Sequence, residues 1–81
     1  MEMAEALVTL GKAIGAGLCM GIGSIAPALG EGNVVSKALE GMARQPESAD
    51  ALRTNMIVGC AITETTGIYS LLVAILILFA L

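Results

Sequence analysis

The stretch that decides the fold is residues 55–81, NMIVGCAITETTGIYSLLVAILILFAL, an apolar run whose single charged residue is Glu64. As a helix rising 1.5 Å per residue it extends about 40 Å, more than the roughly 30 Å hydrocarbon core of a bilayer. A carboxylate deep in such a run is costly, because its charged form loses its hydration. Glu64 therefore marks an ion or proton pathway, with a proton or a cation needed to neutralise it. A plain hydrogen bond to a neighbouring helix is the bland alternative. Snorkelling to the interface is weaker, since Glu64 lies well inside its segment on a short side chain.

Toward the N-terminus, 18 residues free of charge separate Lys12 from Glu31, about 27 Å of helix. Between the two apolar stretches stands the loop signal Ala43-Arg44-Gln45-Pro46-Glu47-Ser48. Pro46 biases Gln45 away from helical geometry. The second helix then begins either at Pro46 or under a Ser48 cap, with Asp50 in its first turn. The expected architecture is all-α: a two-helix transmembrane hairpin forming one unit over 1–81. Helix one covers about 3–43, the loop about 44–47 and helix two about 48–81. Three of the four basic residues, Lys37, Arg44 and Arg53, flank the loop, which by the positive-inside rule lies in the cytoplasm with both termini outside. A cleaved signal peptide fits the first segment poorly, because Glu2 and Glu5 make its start acidic and glycines fill its apolar run.

Composition excludes most soluble alternatives. Of 81 residues 57% are hydrophobic, yet there is one Phe, one Tyr and no Trp, against ten glycines; the mean hydropathy is +0.90. A soluble domain this short usually needs disulfides or a metal. With no histidine, and with Cys19 and Cys60 both in apolar segments, neither is expected. Small residues instead suit helices packed closely in lipid. The net charge of −3 is spread over both ends and the interior, and no nucleic-acid partner is expected.

At about 100° per residue, Gly11, Gly15, Cys19, Gly23, Ala26 and Gly30 share one face of helix one. Gly17, Gly21, Ser24, Ala28 and Gly32 share a roughly opposite face. Two opposed stripes imply a helix held between two close neighbours, which identical chains supply most simply in a head-to-tail ring. The larger Ile14, Leu18, Ile22, Ile25 and Leu29 cluster between the stripes, and Glu31 points elsewhere, with Met20 and Pro27, toward the place of an outer helix. Pro27 removes one helix hydrogen bond and is expected to kink rather than to bind.

Glu31 is the second carboxylate. Counted along the helices, Glu31 lies about 20 Å and Glu64 about 24 Å from the loop, so the two fall at similar depth if helix one runs unbroken to the loop. Two adjacent buried carboxyl groups do not easily both ionise, and the pair is expected to hold at least one proton. The competing possibility is a Glu31 that ends the apolar stretch and faces water. Ile62, Thr65 and Tyr69 fall within about 60° of one another beside Glu64. The Thr65 hydroxyl and the Ile62 carbonyl are candidate ligands for an ion, and Tyr69 a candidate donor orienting Glu64. Oxygen ligands suit sodium and a hydrogen-bonded proton alike. For Thr65 and Thr66 the plain alternative is a bond back to a helix carbonyl.

These residues resemble the proteolipid, or c subunit, of F-type ATP synthases over essentially the whole chain. The resemblance is carried by the glycine series of helix one, the loop Ala43-Arg44-Gln45-Pro46-Glu47, and Glu64-Thr65-Thr66-Gly67-Ile68-Tyr69-Ser70. It implies a closed ring of identical hairpins, helix one inside and helix two outside, with Glu64 as the ion-carrying carboxylate. It also implies a stator subunit with a basic residue, central-stalk subunits docking at Arg44, Gln45 and Pro46, surrounding lipids, no cofactor, and no catalytic chemistry in this chain. Cys19 stands where the family's denser pattern has another glycine, which bears on ring size. Glu64-Thr65-Thr66 with Tyr69 looks like the sodium-binding subset, whose members commonly carry Gln at the position of Glu31. Glu31 itself resembles the two-carboxylate variants, including the N-type branch. Protons are the expected cargo, and sodium held by Glu64, Glu31, Thr65 and Ile62 is the alternative. A small pore-forming hairpin and half of a dimeric antiporter are the rival readings. The first needs no particular loop, and the second predicts a dimer rather than a large ring.

Overall fold

The computed structural model describes residues 2–81. Helix α1 spans Met3–Gly23 and α2 spans Ile25–Arg44. They meet at Ser24, whose backbone (φ −88°, ψ −8°) departs only slightly from helical. Pro27 is the physical cause. It has no N–H to give the Gly23 carbonyl, and its ring crowds that turn. Bonds on either side carry the chain across, from Ser24 N to Met20 O (3.0 Å) and from Ala28 N to Ser24 O (3.1 Å). Forty-two helical residues make about 63 Å, and the longest dimension of the molecule is 65 Å. The two helices therefore run nearly in line, and the stretch continues past Glu31 to the loop.

The reversal is short. Gln45 takes an extended conformation (φ −133°, ψ 74°), as a residue before proline does. Pro46 opens a 3₁₀ turn, Pro46–Ser48, that leads into α3, Ala49–Phe79. Of the two starts open to the second helix, Pro46 fills the entry turn, and Ser48 makes no side-chain cap bond. Arg44, Gln45 and Pro46 are all exposed at this tip.

α3 packs back along both α1 and α2, and the seam between them is made of small residues. Ala16, Pro27 and Ala38 on one side, with Gly67 and Ala74 on the other, are the buried positions among the described residues. No glycine has positive φ, so what these glycines provide is close approach rather than an unusual turn. A Cβ on Gly30 would stand 2.6 Å from Thr63 Cγ2, and one on Gly23 would run into the Ser70 side chain. Gly41 faces Leu52 and Gly59 faces Val34 in the same way. The seven-residue step from Gly23 to Gly30 is matched by the seven-residue step back from Ser70 to Thr63 on α3.

This seam gives the first stripe a neighbour within the chain. Gly15, Cys19, Gly23 and Gly30, four members of the first stripe, are half-buried in the seam with α3 of the same chain, whereas Gly11 and Ala26 are exposed. One of the two close neighbours of helix one is thus its own hairpin partner. Gly11, Gly17, Gly21 and Gly32 would meet nothing within 4 Å, so the second stripe is left for contacts outside the chain.

Large apolar side chains cover much of the remaining surface. Ile22 is 65% and Leu29 70% exposed, and Ile14, Leu18 and Ile25 are exposed beside them. No large side chain is fully buried among the described residues. A hairpin with an alanine and glycine seam and leucine and isoleucine outside has its solvent relation inverted, as lipid and neighbouring chains require. Both arms, Met3–Arg44 and Pro46–Phe79, are long and apolar enough to cross a membrane.

Candidate functional site

Glu31 on α2 and Glu64 on α3 are both half-buried at the edge of the seam. Glu64 lies close enough across the seam to act on Glu31 within one chain. Two carboxylates hold only acceptors, so a bond between them requires that one keep its proton and donate it. The glycine contacts explain the meeting. Gly30 precedes Glu31 and receives Thr63, which precedes Glu64, so the closest approach of the two backbones falls one residue before each carboxylate.

The Glu64 side chain lies over Gly67, where a Cβ would be 2.7 Å from its Oε1 and 3.4 Å from Pro27 Cγ. Polar side chains flank the pair. Thr63 Oγ1 donates to the Gly59 carbonyl at 2.9 Å. Toward the C-terminal end of α3, Ser70 Oγ donates to the Thr66 carbonyl at 3.1 Å, and Cys19 Sγ donates to the Ser70 carbonyl at 3.3 Å.

The other candidates lie elsewhere. Ile62 is 69% and Tyr69 63% exposed, and Thr65 and Thr66 are exposed too. Thr65 Oγ1 donates to the Ala61 carbonyl at 3.2 Å, the back-bond common for helical threonine. Among the described residues no hydrogen bond joins Tyr69 to Glu64. The single chain thus brings together Glu31 and Glu64, and turns Ile62, Thr65 and Tyr69 outward. Arg44, Gln45 and Pro46 form a separate exposed tip at the hairpin bend.

Sequence reasoning did not single out Thr63, Gly67 and Ser70 as parts of the site. A signal for two of them existed. Gly23 and Gly30 are seven residues apart, as are Thr63 and Ser70, and an antiparallel pair with that matched spacing sets glycine against hydroxyl twice.

Fold and site together define a class: a multi-pass membrane hairpin, closed by small residues, with paired carboxyl groups on its inner seam. The family model for the c subunit of ATP synthase matches residues 14–77. Similar proteins include the ATP synthase c subunit of Thermotoga petrophila, 54% identical over 77 residues that cover 95% of this chain and 91% of that one. The ATP synthase c subunit of Petrotoga mobilis is 53% identical over 75 residues, 93% of this chain and 78% of the relative. That of Lactobacillus helveticus is 52% identical over 77 residues, 95% of each chain. The chain belongs to the ATP synthase c-subunit family. It is an integral membrane rotor-ring subunit of a rotary ATP synthase, not a catalytic one, and it assembles as an oligomeric ring with other subunits of that complex.

Proposed function

We propose that the transported ion is a proton, carried on Glu64 with Glu31 of the same hairpin as its partner. The observation that carries this reading is the close approach of Gly30 and Thr63, which sets Glu31 and Glu64 at one depth on facing arms. A pair holding two protons is neutral and needs no metal ion; a pair holding one has charge −1 and accepts sodium. The Thr65 hydroxyl, engaged with the Ala61 carbonyl on the outward face, supports the proton. Sodium would need Thr65, the Ile62 carbonyl and Glu64 to converge, with Tyr69 turned to hold the carboxylate and Thr66 beside it.

The cycle follows from electrostatics. A neutral, loaded site can turn through lipid, whereas an ionised carboxylate there is penalised by about 3 kcal/mol or more. Unloading therefore takes place against a stator subunit, where a basic residue pairs with the Glu64 carboxylate once its proton has left to water. A proton entering from the opposite side displaces that pairing and returns the site to lipid. The cargo is the only group beyond the protein itself. Lys37, Arg44 and Arg53 beside the bend support a cytoplasmic loop, with both termini on the far side of a bacterial inner membrane.

Carbodiimide labelling of Glu64 in the purified ring, followed by mass spectrometry across pH, tests the ion. The reagent requires a protonated carboxyl, so labelling at neutral pH that ignores sodium and falls only as pH rises is the expected result. Labelling slowed by millimolar sodium would replace the proton by sodium. Complete resistance at every pH would remove Glu64 from the mechanism.

The exposed tip Arg44-Gln45-Pro46 is the docking surface for the central stalk in this reading. Replacing all three by Ala is expected to abolish binding of the stalk subunits to purified rings while Glu64 labelling stays unchanged. Full stalk binding by the triple variant would move the docking surface elsewhere.

A further inference from the structure

We propose that Gly67 is a positioning residue: the space left by its missing side chain seats the Glu64 carboxyl when it pairs with Glu31 of the same chain. The inference rests on the reading of Glu64 as the ion carrier and says what holds it in the inward position.

Gly67 is one of the few buried residues of the hairpin. A glycine inside a helix is normally less stable than an alanine, and it is kept where φ is positive or where space is needed. No glycine here has positive φ, so Ala would accept the backbone. Space is the remaining reason, and the space is occupied. A Cβ on Gly67 would stand 2.7 Å from Glu64 Oε1, 3.6 Å from Glu64 Cδ and 3.4 Å from Pro27 Cγ.

The seat is therefore walled by Pro27 on the facing arm and floored by the Gly67 backbone. Proline offers no N–H, so this wall gives the carboxyl no donor. The ionisable group that reaches Glu64 from α2 is Glu31. On α3 itself, Cys60 stands one turn earlier and is half-buried. On α1, the Cys19 thiol is engaged with the Ser70 carbonyl. A methyl group on Gly67 would push the carboxyl out of the seat, away from Glu31 and toward the outward face that carries Thr65. Gly67 thus biases Glu64 between an inward, paired position and an outward one.

The test compares Gly67→Ala alone, with Glu31→Ala, and with Glu64→Asp, by carbodiimide labelling of the position-64 carboxyl in assembled rings across neutral pH. Out of the seat, the carboxyl loses its place beside Glu31 and Pro27. Gly67→Ala should then slow labelling at fixed pH about tenfold. With Glu31→Ala there is no partner to lose, and with Glu64→Asp the shorter side chain clears the methyl. In both backgrounds the added effect of Gly67→Ala should fall below about twofold.

An equal slowing in all three backgrounds would make Gly67 a packing residue and overturn the proposal, as would an unchanged profile in an assembled Gly67→Ala ring. If Gly67→Ala alone prevents assembly, its recovery with Glu64→Asp supports the seat, and continued failure refutes it. Absence of labelling in the unaltered ring would instead bring down the ion-carrier reading, and this inference with it.

Discussion

Glu64→Gln is expected to abolish gradient-driven ATP synthesis by the reconstituted complex while leaving hairpin and ring intact. Gln has nearly the same shape as protonated Glu, still fits over Gly67, and can still hydrogen-bond Glu31. It has no proton to release, so a loaded site can never be unloaded against the stator. The loss should be complete, since Glu64 is the only carboxylate in the apolar run 55–81 and Glu31 lies on the other arm. Ring integrity on native gels beside synthesis in proteoliposomes separates the two effects. Collapse of the ring would make Glu64 a structural residue, and retained synthesis would make it a bystander. Glu31→Gln differs in kind. It leaves the Glu64 carboxyl in place with a neutral partner, so synthesis should persist.

The second large effect concerns the seam. Gly30→Ala is expected to impair ring assembly, and Gly30→Ala with Thr63→Ala to restore it. The new Cβ would sit 2.6 Å from Thr63 Cγ2, far inside contact distance. Thr63 cannot rotate away freely, because its hydroxyl is bonded to the Gly59 carbonyl at 2.9 Å. Overpacking of this kind costs about 1–3 kcal/mol per hairpin, and it acts one residue from both carboxylates. Removing the threonine methyl vacates the volume the alanine needs. The measurement is the heat resistance of detergent-solubilised rings for the two single variants and the double. If the double variant is no better than Gly30→Ala alone, the Gly30–Thr63 contact is not what holds the arms together. Gly32→Ala is the control, because a Cβ there meets nothing within 4 Å in the same chain.

The two expectations share a physical origin. A buried carboxyl pair needs two helices whose backbones approach closely at one depth, and glycine opposite a short hydroxyl side chain provides that approach. The back-bonds of Thr63 and Ser70 serve the same end. Each hydroxyl satisfies itself on its own helix, so it packs against glycine without leaving a polar atom unpaired in the membrane.

Local properties were legible in the residues alone. The length and hydropathy of 55–81, the loop around Pro46 and the isolation of Glu64 are features of one segment, and lipid imposes them without reference to any partner. The similar depth of Glu31 and Glu64 also followed from counting along helices, once helix one continued to the bend. Pro27 could be read as a disturbance of the helix, because a missing N–H acts on its own turn.

Tertiary structure alone decided which small-residue face does what. The two glycine stripes of helix one are chemically alike, and nothing within either distinguishes a hairpin partner from a neighbouring chain. That choice depends on the register between the two arms, fixed by Thr63, Ser70 and Leu52 fitting the gaps at Gly30, Gly23 and Gly41. The same register sets Glu64 over Gly67 and within reach of Glu31, and turns Thr65 and Tyr69 outward. Hydrophobic length is a property each helix carries by itself, whereas a seam exists only between two, and the site of this protein lies on the seam.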